Sequence, residues 1–239
     1  MENLQSDHLD TQNLYRDMQK RTGGEIYIGV VGPVRTGKST FIKRFMDVAV
    51  LPYMEDAAQK TRAQDELPQS AGGRTITTTE PKFIPQEAVE LKLAGEVTIR
   101  VRLVDCVGFM VEGAAGHLED GAERLVKTPW YDHEIPFTQA AELGTRKVIT
   151  DHSTIGVVVT TDGSFSDLPQ ETYLDAENQA ISELKKLHKP FLVLVNSSHP
   201  SSRTAREAAE RIEKQHSVAA MPVNCAQLSE EDIRQIMEQ

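Results

Sequence analysis

Disulfide frameworks, membrane spans and an excess of positive charge are all missing from this sequence. Its 239 residues include only two cysteines, Cys106 and Cys225, too few for the cross-linked scaffolds common in secreted chains, so a reducing compartment is expected. No run approaches the roughly eighteen apolar residues of a membrane span. The N-terminal stretch MENLQSDHLDTQNLYRDMQKRTGG is polar and lacks an apolar signal-peptide core. The expected location is therefore cytoplasmic, with any membrane contact made through partners. Twenty-six basic residues face 36 acidic ones, a formal net charge of -10. That balance opposes broad binding to nucleic acid or anionic lipid, and no nucleic-acid partner is expected. Aromatic residues are scarce at 5%, yet 39% hydrophobic and 26% charged residues are ordinary proportions for a globular chain. The length suits one α/β domain with a sizeable core.

Residues 8–20 carry Leu9, Leu14 and Met18 at helical spacing before the Gly23-Gly24 breaker, which predicts a short helical arm over residues 1–24. From residue 25 to 239 a second unit is expected. It opens with the apolar run Ile26–Val31, of the kind that forms a buried parallel strand. Phe41, Ile42, Phe45, Met46 and Val50 then predict a helix from Lys38 to about Leu51-Pro52. Residues 53–85 lose periodicity apart from a short helix around Ala57–Gln64. Alternation over Ala88–Leu93 and Val97–Val104 predicts a hairpin. A second irregular stretch, Val107–Phe137, holds several glycines and the single tryptophan, Trp130. Beyond it helices are predicted near 138–149, 171–187, 204–216 and from Ser229, where Ser229-Glu230-Glu231-Asp232 resembles a capping box. Strands are predicted at 155–160, 191–195 and 218–223. Alternating strands and helices imply a mostly parallel sheet covered on both faces.

Between the first strand and first helix, Gly32-Pro33-Val34-Arg35-Thr36-Gly37-Lys38-Ser39 satisfies G-x-x-x-x-G-K-[ST] in full. A triphosphate needs converging backbone N–H groups, a positive helix N-terminus and a lysine reaching its outer phosphates. Gly32 through Thr40 are the candidate nucleotide-binding residues, with Lys38 the phosphate lysine and Ser39 the hydroxyl offered to Mg²⁺. The segment Arg100–Gly108 ends an extended run in Asp105, the candidate Walker-B carboxylate, followed by Gly108, whose N–H can meet a γ-phosphate. Thr75–Pro81 contains the candidate sensors Thr78 and Thr79, of the kind that bind Mg²⁺ and feel the γ-phosphate. The competing reading is a threonine-rich edge segment ahead of Pro81.

Guanine-reading switch proteins carry Asn-Lys-x-Asp after a late strand. Here that place reads Asn196-Ser197-Ser198-His199, so ATP is the expected nucleotide. After Asp105-x-x-Gly108 comes Phe109, an apolar residue where a water-orienting glutamine often stands. Arg35 occupies the loop position where some related enzymes hold a potassium ion through asparagine. It supplies an equivalent charge or is simply an outward, solvated arginine. The seven histidines lack metal-ligand spacing. Trp130 and Tyr131 fit either an interface anchor or a satellite core beneath a long loop.

The segments VGPVRTGKSTFI (31–42), AQDELPQS (63–70), TTTEPKF (77–83), LVDCVG (103–108), TPWY (128–131), GTRKV (144–148) and HSTIGVV (152–158) resemble the stage IV sporulation protein A family. The likeness runs from about Arg21 to Val195. It implies a three-layer P-loop ATPase domain related to translation-factor GTPases, with one antiparallel hairpin strand. ATP hydrolysis would drive conformational change and static polymerisation into the basement layer of the spore coat. The setting implied is the mother-cell cytoplasm at the forespore surface. Lys38, Thr78, Thr79 and Asp105 would be catalytic, and Ser39, Thr79 and Asp105 would hold Mg²⁺. Implied partners are further copies of the chain, other spore coat morphogenetic proteins, and a small membrane-bound anchor peptide. That peptide would be reached through C-terminal regions absent here. The rival readings are a regulatory GTPase and a nucleotide-binding module without turnover.

Overall fold

Strand β1, Glu25–Val31, is apolar on both faces because it is covered on both. Ile26, Ile28 and Val30 point into one core, while Val31 points into the other. The computed structural model describes residues 25–68, 80–92, 98–114, 118–119 and 121–239. The expected N-terminal arm, the candidate sensors Thr78 and Thr79, and the tip of the expected hairpin lie outside the described residues.

The main sheet has six strands in the order β10-β9-β8-β1-β3-β2. Here β2 is Lys82–Lys92, β3 Thr98–Asp105, β8 Ile155–Thr161, β9 Phe191–Asn196 and β10 Ala220–Val223. Neighbouring pairs are parallel except β2–β3, the antiparallel pair expected from the alternating residues. The β2–β3 register shifts between Ile84 and Val89. Pro85 lies in that gap and has no N–H to give a ladder.

On one face lie α1, Lys38–Phe45, and α6, Glu230–Glu238. Phe41, Ile42, Phe45, Ile233 and Ile236 bury against Ile28, Leu103, Val157 and Leu194. The opposite face is covered by α4, Leu174–Lys186, and α5, Arg203–His216, through Ala180, Ile181, Leu184, Ala209 and Ile212. Helix α3, Phe137–Lys147, continues as a π-turn, Val148–His152, whose Val148 and Ile149 join this second core. The result is the three-layer α/β architecture with a mostly parallel sheet. Short helix α2, Ala57–Asp65, begins at Asp56, whose carboxylate accepts from the N–H groups of Ala58 and Gln59. The capping box at Ser229 is present, with Asp232 returning its side chain to the Ser229 N–H.

The expectation of an irregular stretch from Val107 to Phe137 is corrected. Two small antiparallel ribbons occur there, β4 (Leu118–Glu119) with β5 (Ala122–Glu123), and β6 (Leu125–Thr128) with β7 (Tyr131–Pro136). Their residues pair only with each other and one side stays wet, so no clean apolar alternation marks them. Trp130 sits half-buried at the β6–β7 turn with the Lys147 ammonium 5.7 Å from its ring centre, and Tyr131 is exposed. Among the described residues, neither is one of the buried residues of the two cores.

Candidate functional site

The loop from Gly32 to Gly37 leaves the C-terminal end of β1 and opens α1, the crevice where open α/β sheets bind ligands. Gly32 and Gly37 both take positive φ, 126° and 97°. A Cβ on Gly32 would run into the Val159 carbonyl oxygen, and one on Gly37 into the Asn196 side chain, so each position needs glycine. Thr36 is fully buried, and its hydroxyl lies 3.0 Å from the Pro33 oxygen and 2.6 Å from the Val159 oxygen. Pro33, Val34 and Thr36 are thus committed to the floor of the loop, while Arg35 is exposed at its crest with φ 62°. Thr40 is half-buried in the first turn of α1.

Lys38 is 4% exposed, and its ammonium donates to the Pro33 oxygen at 2.5 Å. Burial lowers its pKa from the ordinary lysine value, with Cys106 and Asp105 opposing. Asp105 ends β3 beside the loop, and its Oδ2 accepts from the Ser39 hydroxyl at 2.9 Å. Burial raises its pKa from the ordinary aspartate value, against the pull of Lys38 and the Ser39 hydrogen bond. A buried cation and a half-buried carboxylate therefore flank the helix N-terminus. Lys38 has one backbone acceptor for its several N–H groups. This is the electrostatic setting that a polyanion with a bound divalent cation relieves. The Ser39 and Asp105 oxygens form a hard donor pair that fits Mg²⁺, which takes few protein ligands and completes its shell with phosphate and water.

Gly108 follows on the loop leaving β3 with φ 104°, its backbone packed against the Gly32 oxygen and the Lys38 ammonium. Its N–H donates to the Thr145 hydroxyl at 3.1 Å. Phe109 is buried in the second core. The Phe109 N–H reaches the Gly32 oxygen at 3.0 Å, and Val34 N–H returns to the Phe109 oxygen at 2.9 Å. The structure therefore brings Lys38, Ser39, Asp105 and Gly108 together at one crevice.

Two contributors were not read from the sequence. Asn196, at the place where a base-reading motif would begin, braces the loop instead. Its side-chain N–H donates to the Thr36 oxygen at 2.9 Å and its Oδ1 accepts from Cys225 N–H at 3.0 Å. An asparagine directly after the apolar run of β9 was the available signal. Thr145, in the last turn of α3, carries no local mark of this role.

The same chain matches the model for "Stage IV sporulation protein A, ATPase domain" over residues 9–239. The chain belongs to that family. It is 50% identical over 226 residues to stage IV sporulation protein A of Clostridioides difficile strain 630, covering 95% of the chain and 46% of the relative. It is 45% identical over 229 residues to the proteins of that name from Bacillus anthracis and Bacillus subtilis strain 168, covering 96% of the chain and 46% of each relative. The chain thus spans about half the length of the curated relatives it matches. A solved structure of a glycine-to-serine mutation variant of SsGBP is 13% identical with a TM-score of 0.50, covering 95% of this chain and 60% of that one. At that identity it bears on the GTPase-like fold alone. The model that it matches is that of the family's ATPase domain. No helix among the described residues is long and apolar enough to cross a membrane.

Proposed function

We propose that residues 25–239 form a Mg²⁺-dependent ATPase domain whose turnover drives conformational change and self-assembly into the spore coat basement layer around the forespore. The observation that carries this is the buried Lys38 and the Ser39–Asp105 pair at the mouth of one phosphate-binding loop, in a chain of the stage IV sporulation protein A family.

In this reading Lys38 and the amides from Arg35 to Thr40 hold the β- and γ-phosphates, and Lys38 stabilises the charge that develops as the bond to the leaving ADP breaks. Water attacks the γ-phosphorus in line, yielding ADP, inorganic phosphate and a proton. Ser39, Asp105 and Thr79 would hold Mg²⁺, which supplies further charge neutralisation at those phosphates. Thr78 and Thr79 sense the γ-phosphate, and with the Phe109 side chain turned into the core, they and backbone groups orient the water. Arg35 adds positive charge from the loop crest. Unchanged turnover in Arg35→Ala without added potassium removes that role. The domain acts in the mother-cell cytoplasm at the forespore surface. Its partners are other copies of itself, other spore coat morphogenetic proteins and a membrane-bound anchor peptide reached through further C-terminal regions.

The test is phosphate release from ATP and GTP with Mg²⁺, with sedimentation of the product, for the chain and its Lys38→Ala variant. Lys38-dependent release favouring ATP supports the proposal, and preference for GTP contradicts the base assignment. A second reading, nucleotide binding without turnover, draws on the inward-facing Phe109. Tight ATP binding with no phosphate released in a single turnover favours it.

A further inference from the structure

The Gly108 amide is the donor on the β3 loop best placed to report a γ-phosphate, since its residue packs directly against the Lys38 ammonium. In this structure that amide donates to the buried Thr145 hydroxyl at 3.1 Å, beside the Cys106 thiol. Thr145 is fully buried, and its own proton goes to the Ala141 oxygen of α3 at 2.7 Å. The hydroxyl proton is therefore committed, and one of its two lone pairs accepts from Gly108. The adjoining residue is pinned as well, since Phe109 exchanges backbone hydrogen bonds with Gly32 and Val34. Gly108, at φ 104°, is the glycine between these anchors and β3.

We propose that Thr145 is a positioning residue that latches the Gly108 amide in the absence of a γ-phosphate, so that α3 sets the preference of the site for ATP over ADP. This rests on reading the site as an ATPase centre. The γ-phosphate draws the Gly108 N–H from Thr145, and the latch bond is lost only in the triphosphate state. The latch weakens binding of ATP and leaves binding of ADP nearly untouched. The Lys147 ammonium of α3 lies over Trp130, and the first residue of α3, Phe137, accepts the Arg124 guanidinium over its ring at 4.2 Å.

The experiment is equilibrium binding of Mg²⁺-ADP and a non-hydrolysable Mg²⁺-ATP analogue to the chain, Thr145→Val and Thr145→Ser. Valine keeps the shape and removes the acceptor. Its affinity ratio of triphosphate to diphosphate is expected to rise about three- to tenfold, the equilibrium effect of one net hydrogen bond. Serine keeps the hydroxyl and is expected to restore the original ratio. A residue that merely supports packing would shift both affinities together, and an unchanged or lowered ratio in Thr145→Val overturns the latch. Failure of the unaltered chain to bind either nucleotide overturns the site reading and the latch with it. If Thr145→Val does not fold, the Gly108 amide resonance of the unaltered chain decides. It is expected to move with the ATP analogue and stay with ADP, and an equal shift with both overturns the proposal.

Discussion

The loop leaving β1 is held from below by β8 and β9, while the loop leaving β3 is held by α3 and by the first loop. In the first, Thr36 is tied to Val159 and Asn196 fixes the Thr36 carbonyl, so the peptide groups at its mouth are placed before any ligand arrives. In the second, Gly108 depends on Thr145, some 37 residues away in sequence, and Phe109 on Gly32. The difference separates two tasks. A floor that binds phosphates common to ATP and ADP gains from rigidity, whereas a segment that tells them apart needs two available partners for one donor.

The sharpest way to break this comparison is a pair of substitutions. Lys38→Ala and Gly108→Ala are both expected to lower ATP turnover by about 100-fold or more, the scale of losing one positioned donor of transition-state charge. In Gly108→Ala the added methyl meets the Gly32 oxygen and the Lys38 ammonium at a positive φ. Lys38→Ala should weaken ADP binding by at least about tenfold, more than Gly108→Ala does. Equal loss of ADP binding in both variants would merge the two loops into one unit.

A smaller effect is expected at the brace. Asn196→Ala leaves the Thr36 oxygen and Cys225 N–H without their side-chain partner, a cost of about 2–4 kcal/mol in a buried setting. Thermal unfolding measures it, and ADP affinity should fall along with stability. Stability unchanged to within experimental error would show that the loop does not need its floor.

The cysteines probe the same contrast by pH. Burial pushes the Cys106 thiol up to about 11 and the Cys225 thiol up to about 12, above the ordinary 9.0. Because the folded values are raised, the stabilisation from neutral buried thiols is fully present below pH 9.0 and is lost as pH climbs through about 11 to 12. Denaturant titrations across that window should show the decline. At neutral pH alkylation should be slow at both thiols, and faster at Cys106, which begins the β3 loop, than at Cys225.

The smallest effect lies outside both loops. Ser229→Ala removes the cap of α6 and should cost about 1 kcal/mol, with nucleotide affinity unchanged.

Much of this arrangement was legible in the sequence where a physical pattern is local. The apolar runs of β1, β8 and β9 announced buried parallel strands, and the spacing of Phe41, Ile42 and Phe45 announced α1. The glycines and lysine of the first loop carry their chemistry in eight consecutive residues. The β6–β7 ribbon was not legible, since exposed strands paired only with each other leave little hydrophobic periodicity. Thr145 was illegible for a different reason. A threonine inside a helix means nothing until the fold brings it against Gly108. Asn196 stands where a base-reading motif would begin, and its contacts with Thr36 and Cys225 make it a brace.

The division between the loops is tested most directly by amide hydrogen exchange of residues 32–40 and 106–114, without nucleotide, with Mg²⁺-ADP and with a non-hydrolysable Mg²⁺-ATP analogue. The first segment is expected to gain protection with either nucleotide, and the second to change only with the triphosphate. Equal changes in residues 106–114 with ADP and with the ATP analogue would contradict the account.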